Sequence, residues 1–450
     1  MTFANDFVWG AAAASYQVEG AYQDDGKGLS VWDTFCREAG KVYSGNTGDV
    51  ACDHYHRFEE DVKIMAELGI KAYRLSISWP RVMPDGIGKV NEKGLEFYDR
   101  LIDCLLKHKI EPWVTLFHWD YPQALFDKGG WLNRQSSDWF AEYTKVIVER
   151  LSNRVTKWIP INEPQCFIDL GHRTGYHAPG LKLEWPDLLT TAHNCLLAHG
   201  KTVQVIRANA KSKPSIGTAL VALVGIPDSD NFISVEVARR GTFSVFEKSL
   251  MNNPWFSDPI FFGKYPKDGL KKFENEMPKF DDADMKIISQ PLDFLGLNIY
   301  RGWKVRLSMK TGAEIVPAVD GAPLTAMDWE VTPDALYWGP RFFYERYKLP
   351  IVITENGMAN CDWVHSDGKV HDPQRIDFVG KYLKEYKRAS DEGVPCKGYF
   401  YWSIMDNFEW AHGYSKRFGL VYVDYPSQKR TLKDSTEWYK EIIATNGENV

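Results

Sequence analysis

Two glutamates of the 450-residue chain each end a run of otherwise apolar residues. One is Glu163, in Trp158-Ile159-Pro160-Ile161-Asn162-Glu163-Pro164. The other is Glu355, in Ile351-Val352-Ile353-Thr354-Glu355-Asn356-Gly357. A carboxylate at the end of a buried strand is costly to desolvate unless it has a partner. For either residue alone, a salt bridge at the rim of a sheet is an equally good reading. Two carboxylates facing one another across a pocket suit glycoside hydrolysis. One protonates the leaving oxygen, and the other attacks the anomeric carbon or activates a water. A separation of about 5–5.5 Å gives retention of configuration and about 6.5–9.5 Å gives inversion.

Other chemistries find less support. His54 with His56, and His118 with Asp120, are the pairs that could begin a metal site. The first pair lies at i,i+2 at the start of a helical pattern, so its members do not share a face. No H-E-x-x-H motif or Cys/His cluster accompanies either, and no metal is expected. There is no G-x-S-x-G serine elbow, no Walker lysine loop and no G-x-G-x-x-G turn after the first strand.

The elements that must position the two glutamates follow from periodicity. Short apolar runs read as buried strands at 8–12, 71–77, 112–117, 157–162, 216–223, 293–298, 350–354 and 398–402. Amphipathic patterns near 54–68, 92–109, 136–152, 187–210, 333–347, 372–391 and 433–445 read as helices. Eight strands with helices between most of them predict an α/β fold, a (β/α)8 TIM barrel. An open doubly wound sheet is the alternative. The usual barrel takes ~250 residues, so enlarged βα loops must hold the remainder. No linker, low-complexity tract or short repeat divides the chain, and residues 1–450 are expected to form a single catalytic domain.

Reactive side chains of a barrel sit where strands end at the C-terminal face. At or near the ends of seven of the eight runs lie Gln17 and Glu19, then Arg74 carried on its own strand, then His118-Trp119-Asp120. Asn162-Glu163, Asn298 with Tyr300, Glu355-Asn356, and Trp402 leading to Asp406-Asn407-Phe408-Glu409-Trp410 complete the series. Polar and aromatic residues thus gather on one rim.

These stretches resemble glycoside hydrolase family 1, the β-glucosidase family. The likeness runs from Phe7 almost to Ile443. It is carried by residues 7–20 (FVWGAAAASYQVEG), 74–79 (RLSISW), 117–120 (FHWD), 162–164 (NEP), 353–357 (ITENG) and 406–410 (DNFEW). The resemblance implies a retaining, two-step mechanism with Glu355 as nucleophile and Glu163 as acid/base, supported by Arg74 and Tyr300. It implies a sugar pocket made of Gln17, His118, Trp119, Asn162, Asn298, Trp402, Glu409, Trp410 and Phe418, with Trp329 as a platform for the leaving group. The implied substrates are terminal non-reducing β-D-glucosyl residues of cellobiose, cello-oligosaccharides and aryl or alkyl glucosides. Galactosidase or fucosidase side activity is expected, and no cofactor. Glu409 disfavours the 6-phospho-β-glucosidase subclass, because a carboxylate would repel a phosphate dianion. A binding protein without catalysis is the other alternative. Pro160, Ala13 and Gln165 depart from frequent family residues. Gln165 stands where an aromatic often follows N-E-P, so weaker stacking of the leaving group is expected.

Composition agrees with a small-molecule enzyme. Lys plus Arg is 54 and Asp plus Glu is 60, for a net charge of −6. A weakly acidic chain without a basic run gives no support for nucleic-acid binding. No apolar stretch approaches the ~20 residues of a membrane span. Aromatic residues make up 14% of the chain, enough to supply flat faces for sugar rings as well as a core. Residues 1–6 lack a basic segment followed by an apolar one, and the seven cysteines are odd in number with no C-x-x-C pair. Reduced thiols and a cytoplasmic location are the expectation. The oligomeric state is open at the level of sequence.

Overall fold

The computed structural model describes residues 2–308 and 312–450. Eight strands run in chain order: β1 (Val8–Ala12), β2 (Ala72–Ser76), β3 (Glu111–Phe117), β4 (Lys157–Ile161), β5 in two pieces (Ser215–Ile216 and Leu220–Val221), β6 (Leu295–Asn298), β7 (Ile351–Asn356) and β8 (Cys396–Trp402). Neighbours pair in parallel, and β1 lies between β2 and β8. The interrupted β5 joins the two ends of the sheet. Its first piece pairs with β4 and its second with β6. Single bridges from Asn162 to Ala219 and from Gly217 to Phe294 span the break. A sheet whose two ends meet in one strand is a barrel, and the fold is the expected (β/α)8 type. The expected strand at 216–223 is therefore present in two short pieces. At the break, a Cβ on Gly217 would lie 2.3 Å from the Phe294 ring.

The barrel interior is filled, as a closed sheet of this size requires. Its core comprises Ala12, Ala72, Trp113, Ile159, Phe294, Val352 and Phe400, with Trp402 and Phe418 above. Trp113 packs against Phe294 and Phe400 with ring centroids 5.2 and 4.9 Å apart. The opposite side is small: a Cβ on Gly10 would lie 2.4 Å from Phe400. Strand alternation then sets the next layer up. Two residues beyond Ala72, Trp113 and Val352 stand Arg74, Thr115 and Thr354, all buried. Apolar filling thus ends where the polar rim begins.

The helices pack outside this wall, each with one apolar stripe inward. In Glu92–Lys107, Leu95, Tyr98, Leu101, Ile102 and Leu105 are buried at helical spacing. The long expected helices are all present, as His54–Glu67, Glu92–Lys107, Ser136–Leu151, Trp185–Asn209, Ala335–Tyr347, Pro373–Asp391 and Asp434–Ala444. Extra elements lie in the βα loops. A three-stranded sheet of Val224–Pro227, Gly302–Arg306 and Glu314–Ile315 and a hairpin of Val421–Asp424 with Lys429–Leu432 are among them. Helices Phe232–Phe243 and Pro254–Phe262 belong to the same class. Among the described residues no helix is long and apolar enough to cross a membrane.

Candidate active site

The two glutamates lie buried at the C-terminal ends of β4 and β7. Strand geometry alone does not place them both. Alternation would send Glu355 to the side opposite Thr354, but the β7 ladder shifts register between Ile353 and Glu355 on the β6 side. Such an irregularity re-aims a side chain. Glu163 is placed by its backbone, with φ at +43°, in the left-handed region unusual for a non-glycine residue. Its N–H donates to Ala219 O at 2.8 Å, so β5 holds it from beneath. Residues in such conformations gather at functional sites when their surroundings over-determine them.

The carboxylates differ in their partners. Glu355 Oε1 accepts from Arg74 Nη1 at 2.5 Å, and its Oε2 accepts from the Tyr300 hydroxyl at 2.6 Å. Glu163 Oε1 accepts from Asn298 Nδ2 at 2.8 Å and, among the described residues, makes no ion pair. Burial and then the charge of Glu355 push the Glu163 carboxyl up to about 8. Burial raises Glu355 as well, opposed by Arg74 and by the Tyr300 hydroxyl. Of the two, Glu355 is the one whose ionised form is held.

Arg74 is the hub. Its Nε donates to Thr115 Oγ1 at 3.2 Å, Nη1 also to Thr354 O at 3.1 Å, and Nη2 to Asn162 Oδ1 at 2.5 Å. Because a guanidinium only donates, Asn162 presents its oxygen there and its NH2 elsewhere. That NH2 meets His118 Nε2 at 3.1 Å, which makes Nε2 the acceptor and Nδ1 the protonated nitrogen. His118 is neutral, its pKa driven well down by burial and by Arg74. The Trp119 indole N–H, on a backbone at φ +79°, fixes Asn162 O at 3.0 Å.

Aromatic rings wall one side. His118 lies nearly parallel to Trp402 and to Trp410, each at 20°, with centroids 5.7 and 5.9 Å away. Trp119 and Trp410 are 4.6 Å apart. On the other side Tyr300, Trp329 and Phe418 form a second group, with Tyr300 and Trp329 5.4 Å apart. Gln17 Nε2 donates to Phe408 O and to Asn407 Oδ1. Its Oε1, and Glu409 Oε2, are buried without a protein partner. Burial, then the charges of Glu355 and Glu163, push Glu409 up to about 8.

Every residue expected at the site by resemblance is thus near the two glutamates or the rings beside them. Asn298 faces inward between Asn162 and Glu163, bonding both. Glu19 lies below, held by Arg81 at 2.8 Å and Tyr98 at 2.6 Å. Pro160 sits in β4 between the ladder pairs Thr115–Ile159 and Phe117–Ile161. Gln165 is buried, donates to Val221 O at 3.2 Å, and keeps an unpartnered Oε1. His54 pairs with buried Asp61, and His56 is half exposed beside Asp53. Among the described residues no group of three or more His, Cys, Asp or Glu side chains is placed to hold a metal.

Residues beyond the motifs also hold the site. Thr354, next to Glu355, donates to Asn298 Oδ1 at 2.6 Å. A buried charge network fixes the loop after β8. Lys433 Nζ lies 2.6 Å from Asp362 and 2.7 Å from Asp406. Arg375 binds Asp362 at 2.7 Å and also Asp372, while Arg417 binds Asp406 at 2.6 Å. Asp406 Oδ1 further accepts the N–H of Gly419, beside Phe418. A lysine over seventy residues from one of its partners leaves no local signal, although the alternation of β7 did point Thr354 inward.

A family model described as glycosyl hydrolase family 1 matches residues 1–448. The chain is 46% identical to the 1,4-beta-D-glucan glucohydrolase of Thermotoga neapolitana over 449 residues, covering 99% of each. It is 45% identical to beta-glucosidase A of Acetivibrio thermocellus, again over 99% of each. A bifunctional beta-D-glucosidase/beta-D-fucosidase of Bifidobacterium breve is 41% identical, over 99% of this chain and 98% of that one. The solved structure of a Thermotoga maritima beta-glucosidase in complex with glucoimidazole superposes with a TM-score of 0.91 at 45% identity, covering 99% of both chains.

Proposed function

The chain belongs to glycosyl hydrolase family 1, and from that premise we propose that it is a retaining β-glucosidase acting on terminal non-reducing β-D-glucosyl residues. The observation that carries the chemistry is the asymmetry of the glutamate pair. Glu355 has a cation and a phenol on its two oxygens; Glu163 has one amide N–H and the Cys166 thiol, and no cation among the described residues.

In the first step a Glu355 oxygen attacks the anomeric carbon. The bond from that carbon to the leaving oxygen breaks, and Glu163 gives that oxygen its proton. Esterification removes the Glu355 charge, and with it the second cause that raises Glu163. Glu163, now ionised, takes a proton from water as the water oxygen attacks the anomeric carbon. Glucose leaves, and the Glu355 carboxylate is restored. The two titrations belong to the pair and not to either residue.

The pocket supports a neutral sugar. Gln17 Oε1 and Glu409 Oε2 are buried acceptors without a protein partner, suited to sugar hydroxyls. Trp402 and Trp410 offer apolar faces to C–H groups. A 6-phosphate would meet Glu409; of the nearby cations Arg417 is paired with Asp406, and Lys416 donates to the neutral Ala326 O. Substrates of the cellobiose, cello-oligosaccharide and aryl glucoside type fit this reading. The names of the relatives support it, and the Bifidobacterium one supports a fucosidase side activity. Trp329 serves the leaving group, with Gln165 in place of a second aromatic platform. The seven cysteines are unpaired thiols, in keeping with a reducing cytoplasm.

The test is initial release of p-nitrophenol from its β-glucoside, with the β-glucoside 6-phosphate at equal concentration. Fast release from the plain glucoside alone is the expected result. The reverse order would overturn the reading in favour of a phospho-β-glucosidase. Binding without release would leave a sugar-binding protein.

A further inference from the structure

The polarity of the hydrogen bonds around Asn298 is fixed from one end. Arg74 can only donate, so the Asn162 atom 2.5 Å from its Nη2 is Oδ1. The Asn298 atom 3.2 Å from that oxygen must then be a donor, Nδ2. The same NH2 reaches Glu163 Oε1 at 2.8 Å. Asn298 Oδ1 faces the other way, and the Thr354 hydroxyl donates to it at 2.6 Å. Arg74 therefore touches one glutamate directly and reaches the other through two amides. Asn298 is wholly buried, as is Thr354.

We propose that Thr354 is a positioning residue for Glu163: its hydroxyl satisfies Asn298 Oδ1 and so holds in place the amide whose polarity Arg74 sets through Asn162, with Nδ2 on the acid/base carboxyl. The inference rests on the reading of Glu163 as the acid/base. A donor at Oε1 favours the ionised carboxylate and so opposes burial and the charge of Glu355. Loss of the hydroxyl leaves Asn298 Oδ1 buried without a partner. Displacement of the unheld amide would weaken the bond from Nδ2 to Glu163, and a full turn would set Oδ1 there, accepting a hydrogen bond from the neutral acid while facing Asn162 Oδ1. Either outcome weakens the support of the ionised form.

The groups that face Glu163 come from several elements. They are Glu355 on β7, Arg74 on β2, Cys166 on the helix that follows Glu163, Tyr300 beyond β6 and Glu409 beyond β8. His118 on the loop after β3 connects through Asn162. Replacing the Thr354 side chain leaves Arg74 in place, because Arg74 meets Thr354 through the main-chain carbonyl; the Asn298 NH2 also supports Glu355, so the acidic limb is expected to move to higher pH with the basic one.

The experiment is the pH profile of kcat/KM for p-nitrophenyl β-glucoside in the wild type, Thr354→Val, Thr354→Ser and Asn298→Ala, each checked for a cooperative thermal melt. The basic limb reports the acid that must be protonated. We expect that limb to move to higher pH by about half to one unit in Thr354→Val and in Asn298→Ala, a three- to tenfold rise in the proton affinity of the acid. Thr354→Ser should retain the wild-type limb. A uniform loss of rate in Thr354→Val with an unmoved limb would overturn the proposal, as would a limb moved only in Asn298→Ala. If Thr354→Val fails to melt cooperatively, Thr354→Ala replaces it and the same two outcomes decide. The underlying reading is checked separately with Glu163→Ala. Recovery of activity by azide with formation of the β-glucosyl azide supports Glu163 as acid/base, and no recovery would remove that premise.

Discussion

Arg74 Nη1 stands 2.5 Å from Glu355 Oε1, and the same guanidinium forms no hydrogen bond or ion pair with Glu163. One fully buried cation thus serves one member of a carboxylate pair. That difference is what the proposed roles require, an ionised nucleophile at Glu355 and a protonated acid at Glu163.

Replacing either glutamate should therefore give different kinetics. Glu355→Gln is expected to lower kcat by about 10⁴-fold or more with any glucoside, because no bond to the sugar can form. Glu163→Ala should cost about 10²–10⁴-fold with a poor leaving group, and far less in the first step with 2,4-dinitrophenyl glucoside. Comparing burst and steady-state rates for the two substrates checks this.

Arg74→Met should move the acidic limb of the rate profile to higher pH, because Glu355 then keeps burial without its cation. It should also destabilise the fold by about 3–5 kcal/mol, the range for an orphaned buried charge. Urea unfolding at pH 7 and at pH 5 reads this. Protonation of Glu355 at the lower pH should relieve part of the loss.

Glu163 and Glu409 both stand near 8, against 4.5 for an ordinary glutamate. The native state then binds more protons than the unfolded chain between those values, so stability falls as pH rises through that window. The melting temperature of the unliganded enzyme should decrease from pH 5 to pH 8. Glu409→Gln should flatten that slope and raise the melting temperature at pH 8 while leaving pH 5 nearly unchanged. A slope equal to that of the wild type would contradict the burial argument.

Lys433→Met removes the ammonium shared by Asp362 and Asp406. A loss of about 3–5 kcal/mol is expected, together with a raised KM. The loop that carries Glu409, Trp410 and Phe418 is anchored at Asp406, while Glu163 and Glu355 are not. Unfolding curves and a KM-against-kcat comparison separate the two effects.

Most of this architecture could be read in the chain before any coordinates. Apolar runs such as Ile351-Val352-Ile353 announce strands, because strands buried on both faces have no polar alternation to hide them. The residues at their ends are polar for a reason that is local to each motif. Three features could not be read that way. The break in β5 depends on Phe294, nearly eighty residues later in the chain. The register shift in β7 depends on its β6 neighbour, where a Cβ on Gly296 would lie 2.0 Å from Thr218 O and 2.7 Å from Thr354. The orientation of Asn298 depends on Arg74, which never touches it. Each is set by packing between distant segments, to which residue periodicity is blind.

The anchoring of the loop after β8 also sets an order of assembly during synthesis. All eight strands have been made once Trp402 has left the ribosome, but Lys433 and Arg430 have not. Until they emerge, Asp362 and Asp406 lack their common ammonium, and Asp61 lacks a guanidinium that lies 369 residues further along the chain. The barrel wall can close first, and the sugar-facing loop sets last. A nascent chain halted between these points carries Glu163 and Glu355 but not the docked hairpin and helix that hold the loop of Glu409, Trp410 and Phe418.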